Sequence, residues 1–401
     1  MNILFLTLVR IKSISERGIY TDLFRKFSEE GHYVYIVCPT ERRYGEKTSL
    51  SVENKVQILN VKTPNIQKTN LIEKGLATLF IESFLLRGIK KYLDGIKFDL
   101  VIYSTPPITF TNLVSFIKNR DGAKSYLLLK DIFPQNAVDL GMINKSGFLY
   151  RFFRKKEKDL YKISDRIGCM SPANLNYVIK HNQEVHPLKV EVNPNSISFA
   201  GNEIIDKNAI RSKFAIPQDV TLYIYGGNLG KPQGIDFLIE VLNANKQLVD
   251  CFFLIVGDGT EFSKLNKWFL EAKPQNTKLL NALPKADFNN LLRISDVGLI
   301  FLDNRFTIPN FPSRLLSYME NKLPVLLATD KNTDMGTIAQ ENNFGLWAES
   351  GNLKEFNKQI GFLNIESEQR KTMGENAHQF LLNNYLVKNS YQIILKGLQN
   401  V

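Results

Sequence analysis

Tyr225-Gly-Gly-Asn-Leu-Gly-Lys-Pro-Gln-Gly-Ile-Asp236 directly follows the apolar run Leu222–Tyr225 and opens a helical pattern at Gly234. A short buried strand, a glycine-rich turn and a helix in that order make the first half of a β-α-β unit. Such a turn can bring bare backbone N–H groups and a helix start against phosphate. Gly226, Gly227 and Gly230 allow close approach, and Lys231 supplies a mobile positive charge. A tight turn with no ligand is the alternative reading of the same residues.

Similar strand-sized runs lie on both sides of this stretch. Downstream they are Phe252–Val256, Lys278–Leu280, Val297–Leu302 and Val325–Ala328. Upstream they are Ile3–Val9, Val34–Cys38, Val56–Val61, Leu100–Tyr103, Tyr126–Leu129 and Ile167–Met170, with a helix over Ile19–Glu30 stopped by Gly31. The polar segment Val192-Asn-Pro-Asn-Ser-Ile-Ser198 between the two series reads as a hinge. The spacing therefore predicts an α/β protein of two Rossmann-like domains with a cleft between them. Residues 1–198 form the first, 199–380 the second, and 381–401 are terminal helices that can pack back on the first.

The chain has 401 residues, 44% hydrophobic and 23% charged, which is enough to bury a core in each domain and rules out disorder. No apolar run is long enough to cross a bilayer, and Met1–Val9 has neither a basic leader nor a small-residue cleavage site, so a cytoplasmic protein is expected. Cys38, Cys169 and Cys251 are scattered and read as core thiols. The net charge of +11 is unevenly placed. Up to Phe199 there are 30 basic and 19 acidic side chains, and beyond it 21 of each. A basic first half suits an anionic partner. The densest cluster, Arg151, Arg154, Lys155, Lys156, Lys158 and Lys162, is interleaved with Tyr150, Phe152, Phe153, Leu160 and Tyr161. It reads either as a membrane-facing segment or as a solvated helix face.

Several chemistries are excluded. There is no Gly-x-x-x-x-Gly-Lys-Ser/Thr loop, no Gly-x-Gly-x-x-Gly turn after the first strand, no Gly-x-Ser-x-Gly and no Asp-x-Asp, and the four histidines never stand at metal spacing. Two more stretches are informative. Phe253-Leu-Ile-Val-Gly-Asp-Gly-Thr-Glu261 runs a strand into a turn, either at the end where doubly wound sheets bind nucleotides or as a plain turn. In Asn310-Phe-Pro-Ser-Arg-Leu-Leu-Ser-Tyr-Met-Glu320, Pro312 and Ser313 begin a helix whose first turn carries Arg314. An N-cap hydroxyl and an arginine there form a second anion site, or else a capped helix with a surface arginine.

These three elements, in this order, resemble the C-terminal domain of the family 4 glycosyltransferases of the GT-B fold, and Pro194-Asn-Ser-Ile197 stands where that family has its linker. Lys130-Asp-Ile-Phe-Pro-Gln-Asn-Ala-Val-Asp-Leu-Gly-Met142, Glu16-Arg-Gly-Ile-Tyr20 and Cys169-Met-Ser-Pro-Ala-Asn174 resemble the bacterial subgroup that transfers N-acetyl-L-fucosamine in capsule and O-antigen synthesis. The resemblance implies a nucleotide-sugar donor, a UDP-sugar, in the second half. Gly227 and Asn228 would lie near the diphosphate, Gly257 and Pro284 would border the base, and Gly18 either lets the backbone approach the donor phosphates or simply starts a helix. Two departures follow. The family loop has Arg and Lys where this chain has Asn228 and Gln233, so Lys231 and Arg314 are expected to carry the diphosphate charge. The family's glutamate pair is replaced by Pro309 and Ser317, which leaves Ser317 or another residue to hold the ribose.

The basic half would bind a polyprenyl-diphosphate-linked saccharide at an anionic membrane surface, placing the enzyme at the inner face of the cell membrane. Asp131, at the end of a strand, either orients or deprotonates the acceptor hydroxyl or caps the turn that follows; Asp139 reads as structural. Displacement of a nucleoside diphosphate from the anomeric carbon needs leaving-group stabilisation and positioning, so neither metal nor cofactor is expected. The resemblance implies a hexosyltransferase that retains configuration. A nucleotide-sugar 2-epimerase of GT-B fold is the alternative enzyme. A nucleic-acid binder has only the net charge in its favour, and no nucleic-acid partner is expected.

Overall fold

The computed structural model describes residues 1–66, 71–199, 201 and 205–399, with 71–79 described by backbone alone. The chain divides into two compact units, Met1–Ser198 with Leu386–Val401, and Phe199–Tyr385. Each is a Rossmann-like α/β domain.

The first unit is built on eight strands: β1 (Asn2–Leu6), β2 (Tyr33–Glu41), β3 (Ser49–Glu53), β4 (Val56–Thr63), β5 (Leu100–Ser104), β6 (Lys124–Leu129), β7 (Arg166–Cys169) and β8 (Val190–Val192). Their order is β3-β4-β2-β1-β5-β6-β7-β8, and only the β3–β4 pair is antiparallel. The continuous apolar runs are buried on both faces, as a parallel sheet between helices requires. β1 ends at Leu6, short of the Val9 its hydropathy suggests. Thr7 N still reaches Val37 O at 3.3 Å, but Val9 N turns to Thr7 Oγ1 at 3.1 Å and leaves the ladder. Two strands here have no clear signal in the sequence: β3 is largely exposed, and β8 is three residues long.

The last helix, Val387–Gln399, completes this unit. Its Val387, Ile394 and Leu398 join Phe5, Phe24 and Phe27 in one core, and Arg166 Nε donates to Gly397 O at 2.7 Å. The helix before it, Ser367–Asn384, lies in the second unit, so only the final part of the expected tail packs on the first.

The second unit holds β9 (Thr221–Asn228), β10 (Cys251–Asp258), β11 (Thr277–Leu280), β12 (Val297–Phe301), β13 (Val325–Thr329) and β14 (Gly345–Glu349), all parallel in the order β11-β10-β9-β12-β13-β14. Tyr223, Phe253, Phe301 and Leu326 fill its core against Phe237 and Phe356. The strand order reverses between β9 and β12, and ligands of doubly wound sheets bind beyond the strand ends at such a point. β9 and β10 run further than their apolar stretches. Gly226 to Asn228 pair in register with Val256 to Asp258, so the first glycines of the quoted stretch belong to the strand and not to a turn. Glycine is required for this: a Cβ on Gly257 would stand 1.9 Å from Gly227 O.

Candidate functional site

The end of β9 opens onto a cavity of about 400 Å³. From β9 come Gly226, Gly227 and Asn228. The one-turn helix Lys231–Gln233 supplies Gln233, and the segment around helix Arg314–Glu320 supplies Ser313, Arg314, Ser317 and Tyr318. Gly234 then starts helix Ile235–Asn245 with φ 54°, in the left-handed region, and a Cβ there would meet Leu302 O at 2.8 Å.

Arg314 dominates the electrostatics. Its Nη2 donates to Gln233 Oε1 at 2.7 Å, its Cζ lies 4.4 Å from the centre of the Tyr225 ring, and its Nη1 is buried without a hydrogen-bond partner. An unmet buried donor costs about 1–3 kcal/mol, which a bound anion would recover. Tyr225 is itself fixed, its hydroxyl donating to Asn228 O at 2.8 Å. Tyr318 bridges the two parts of the wall: its hydroxyl donates to Leu299 O at 3.1 Å and accepts from Gly226 N at 3.2 Å. Burial pushes the Tyr318 phenol up to about 12, so it stays protonated.

A second cavity of about 360 Å³ shares Gly227 and Phe288 with the first and is otherwise lined by Val256, Gly257, Asp258, Ala282, Leu283 and Lys285. Pro284 precedes helix Lys285–Ile294 as its N-cap residue. Phe288 divides the two cavities because Gly226 lacks a side chain; a Cβ there would stand 2.1 Å from Phe288 Cζ.

Gly227, Asn228, Gln233, Ser313, Arg314 and Ser317 are thus brought together, with Gly257 next door. Lys231 stands outside both linings, exposed at the start of its one-turn helix, whereas Arg314 lines the first cavity. The second anion site needs correction. Ser313 has helical backbone angles (φ −65°, ψ −16°) and makes no side-chain cap bond, because a capping hydroxyl needs an extended backbone to reach the next amides. Leu315 N and Leu316 N bond back to Pro312 O and Ser313 O, so these two amides are not free for a ligand. Tyr225, Phe288 and Tyr318 escape the sequence reading. Only Tyr225 carried a signal, as the aromatic at the end of the quoted strand.

In the first unit Gly18 is the N-cap residue of helix Ile19–Glu29 with an extended backbone (φ 173°), its N–H donating to Asp22 Oδ1 at 3.3 Å. Asp131 follows β6. Asn136 Nδ2 donates to both its carboxylate oxygens, at 2.8 and 2.9 Å, and Asp131 N donates to Thr105 Oγ1 at 3.1 Å. Burial raises its pKa to about 6 against the lowering effect of Ile132 N–H and Asn136. The neighbouring Lys130 ammonium is lowered by burial to about 7, and its Nζ lies 3.4 Å from Asn193 O.

The basic cluster lies on helix Phe148–Ile163 and separates into two sets. Arg154 is committed inward, to Glu157 Oε2 at 2.5 Å and to His181 O and Asn182 Oδ1 at 2.7 Å each, and Lys158 pairs with Glu184 at 3.0 Å. Arg151 and Lys155 are exposed, and Lys156 leans over the Phe152 ring. Phe148 (79% exposed) and Leu149 (57%) project from the first turn. Lys162, the sixth member, is also exposed, so of the six cations expected to face a membrane together Arg154 and Lys158 are paired within the protein and the other four stand beside two bare apolar side chains. Cys38, Cys169 and Cys251 are buried free thiols. Among the described residues no helix is long and apolar enough to cross a membrane.

Two parallel-sheet domains, one with a cavity at its switch point, define the class, and comparison with known proteins gives the particular domain. Residues 206–380 match the family model of the glycosyl transferases group 1, so the second unit carries a glycosyltransferase group 1 domain. Over 297 residues the chain is 26% identical to WbjE of Pseudomonas aeruginosa, a probable glycosyltransferase by name, covering 71% of this chain and 70% of that one. It is 20% identical over 249 residues to WcaI of Escherichia coli K12, named for colanic acid biosynthesis, with 61% and 60% covered. HepE of Anabaena, solved in complex with UDP, matches over the whole of both chains with TM-score 0.70 and 14% identity. The architecture is GT-B.

Proposed function

We propose that the protein transfers a sugar from a UDP-sugar to a polyprenyl-diphosphate-linked saccharide in the assembly of a surface polysaccharide. The observation that carries this is Arg314, a cavity-lining guanidinium with a buried donor left unpaired. In the proposed reaction the bond from the anomeric carbon to the diphosphate breaks and a bond to the acceptor oxygen forms. Charge leaves on the nucleoside diphosphate, where Arg314 meets it. Asp131 receives the acceptor proton. Hexosyl transfer of N-acetyl-L-fucosamine without a metal is the specific form of this reading, supported by the Lys130–Met142 and Cys169–Asn174 motifs. Capsule and O-antigen are the products those motifs suggest, and the cytoplasmic membrane face is the location the exposed cations of the first unit suit.

The test is calorimetric titration with UDP-, GDP- and dTDP-sugars, followed by transfer to lipid-linked acceptor in the presence of EDTA. UDP-sugar binding and EDTA-resistant transfer are expected. Binding of GDP-sugars alone overturns the donor assignment. Conversion of the donor to an epimer without acceptor points to the epimerase.

A further inference from the structure

We infer that Gln233 is a positioning residue whose amide oxygen, together with the Tyr225 ring, holds the Arg314 guanidinium in place for a nucleoside diphosphate. The inference rests on the reading of the cavity as the donor site.

Three contacts define the arrangement. Gln233 Oε1 accepts from Arg314 Nη2 at 2.7 Å, so one edge of the guanidinium is tied. Its Cζ lies over the Tyr225 ring, 4.4 Å from the centroid, and the phenol is anchored on Asn228 O. Nη1 remains a buried donor without a partner. Arginine has a long, rotamer-rich side chain, and the loss of that freedom on binding weakens an anion contact unless the protein has already restricted it. A tied edge and a contact with the aromatic ring provide that restriction.

The hold is itself rigid. Gln233 closes a one-turn helix, its N–H bonded to Gly230 O at 3.0 Å, and the next residue is the left-handed Gly234 packed on Leu302 O. The chemistry of the amide also matters. A neutral oxygen accepts the hydrogen bond without cancelling the positive charge, whereas a carboxylate at the same place would keep the geometry and neutralise the charge. Position and charge can therefore be separated by substitution.

The experiment measures UDP and GDP affinity by calorimetry for the full chain and for Gln233→Ala, Gln233→Glu, Arg314→Ala and the double variant Gln233→Ala/Arg314→Ala, with thermal melts of each. Gln233→Ala is expected to weaken the bound nucleotide about tenfold, and Gln233→Glu more than that, with melting temperatures unchanged. In the Arg314→Ala background the Gln233→Ala change is expected to have no further effect. If the wild type binds neither nucleotide, the donor-site reading fails. If the wild type binds but Gln233→Ala and Gln233→Glu bind equally well, the positioning role is overturned. Additive losses in the double variant overturn it too, since Gln233 would then act on the ligand and not through Arg314.

Discussion

Asn136 grips both oxygens of Asp131 through one nitrogen, and burial still drives that carboxyl's pKa up to about 6 from an ordinary 3.8. Between those pH values the folded chain binds a proton that the unfolded chain has lost, so the protonated carboxyl's contribution to stability is full below about pH 4 and disappears as pH rises through about 6. Asp131→Asn removes the buried charge. Discounted for partial exposure, the gain is on the order of 1 kcal/mol, which should raise the melting temperature by roughly 2–4 °C at pH 8 and leave it unchanged near pH 4. The same variant should lose transfer activity while nucleotide affinity stays constant. Thermal melts at the two pH values and a donor titration check the three expectations together.

Lys231 of the glycine-rich stretch and Arg314 of helix Arg314–Glu320 should behave differently. Arg314→Ala removes the charge that lines the cavity and is expected to cut turnover by about 30-fold or more, a loss of about 2–4 kcal/mol of leaving-group stabilisation. Lys231→Ala, outside the lining, should change it less than threefold on the same scale. Steady-state kinetics of the two single variants decide the matter, and equal losses would restore Lys231 to the site.

Gly226→Ala tests the partition between the cavities. The added methyl would overlap the Phe288 ring, and overpacking of this kind costs about 1–3 kcal/mol. Stability and nucleotide affinity should both fall. Adding Phe288→Ala should restore stability in part, because the ring that clashes is gone; a melt of the double variant no higher than that of Gly226→Ala would show that the obstruction lies elsewhere.

Membrane attachment, if present, should depend on the bare first turn of helix Phe148–Ile163. Replacing Phe148 and Leu149 by Ser is expected to lower co-sedimentation with anionic vesicles at any salt concentration. Replacing Arg151, Lys155 and Lys156 by Gln should remove about 1 kcal/mol each, mainly at low salt. Arg154→Gln should instead lower the melting temperature, because it leaves Glu157 buried without its cation. Wild-type protein that ignores such vesicles at low salt would end the membrane reading.

Much of the second unit was legible because its strands are continuous apolar runs and its glycines sit where backbone meets backbone. The run Phe252–Val256 can be little else than a buried strand, and Gly234 marks its helix start by conformation. What stayed hidden depends on contacts across the fold. Phe288 lies 62 positions from Gly226 in sequence and packs on it only once the sheet exists. Lys231 and Arg314 carry the same charge in the sequence, yet Arg314 lines the cavity and the exposed Lys231 does not. Arg154 likewise looks like its neighbours Lys155 and Lys156 until Glu157, His181 and Asn182 surround it.

Helix Val387–Gln399 closes the core of the first unit from the far side of nearly two hundred intervening residues. During synthesis, the glycosyltransferase group 1 domain is a single uninterrupted stretch that can settle as soon as it emerges. The first unit cannot. Its sheet must wait, with Phe24 and Phe27 uncovered, until Ile394 and Leu398 are released, and a ribosome that stops after residue 385 would leave the earliest-made domain as the unfinished one.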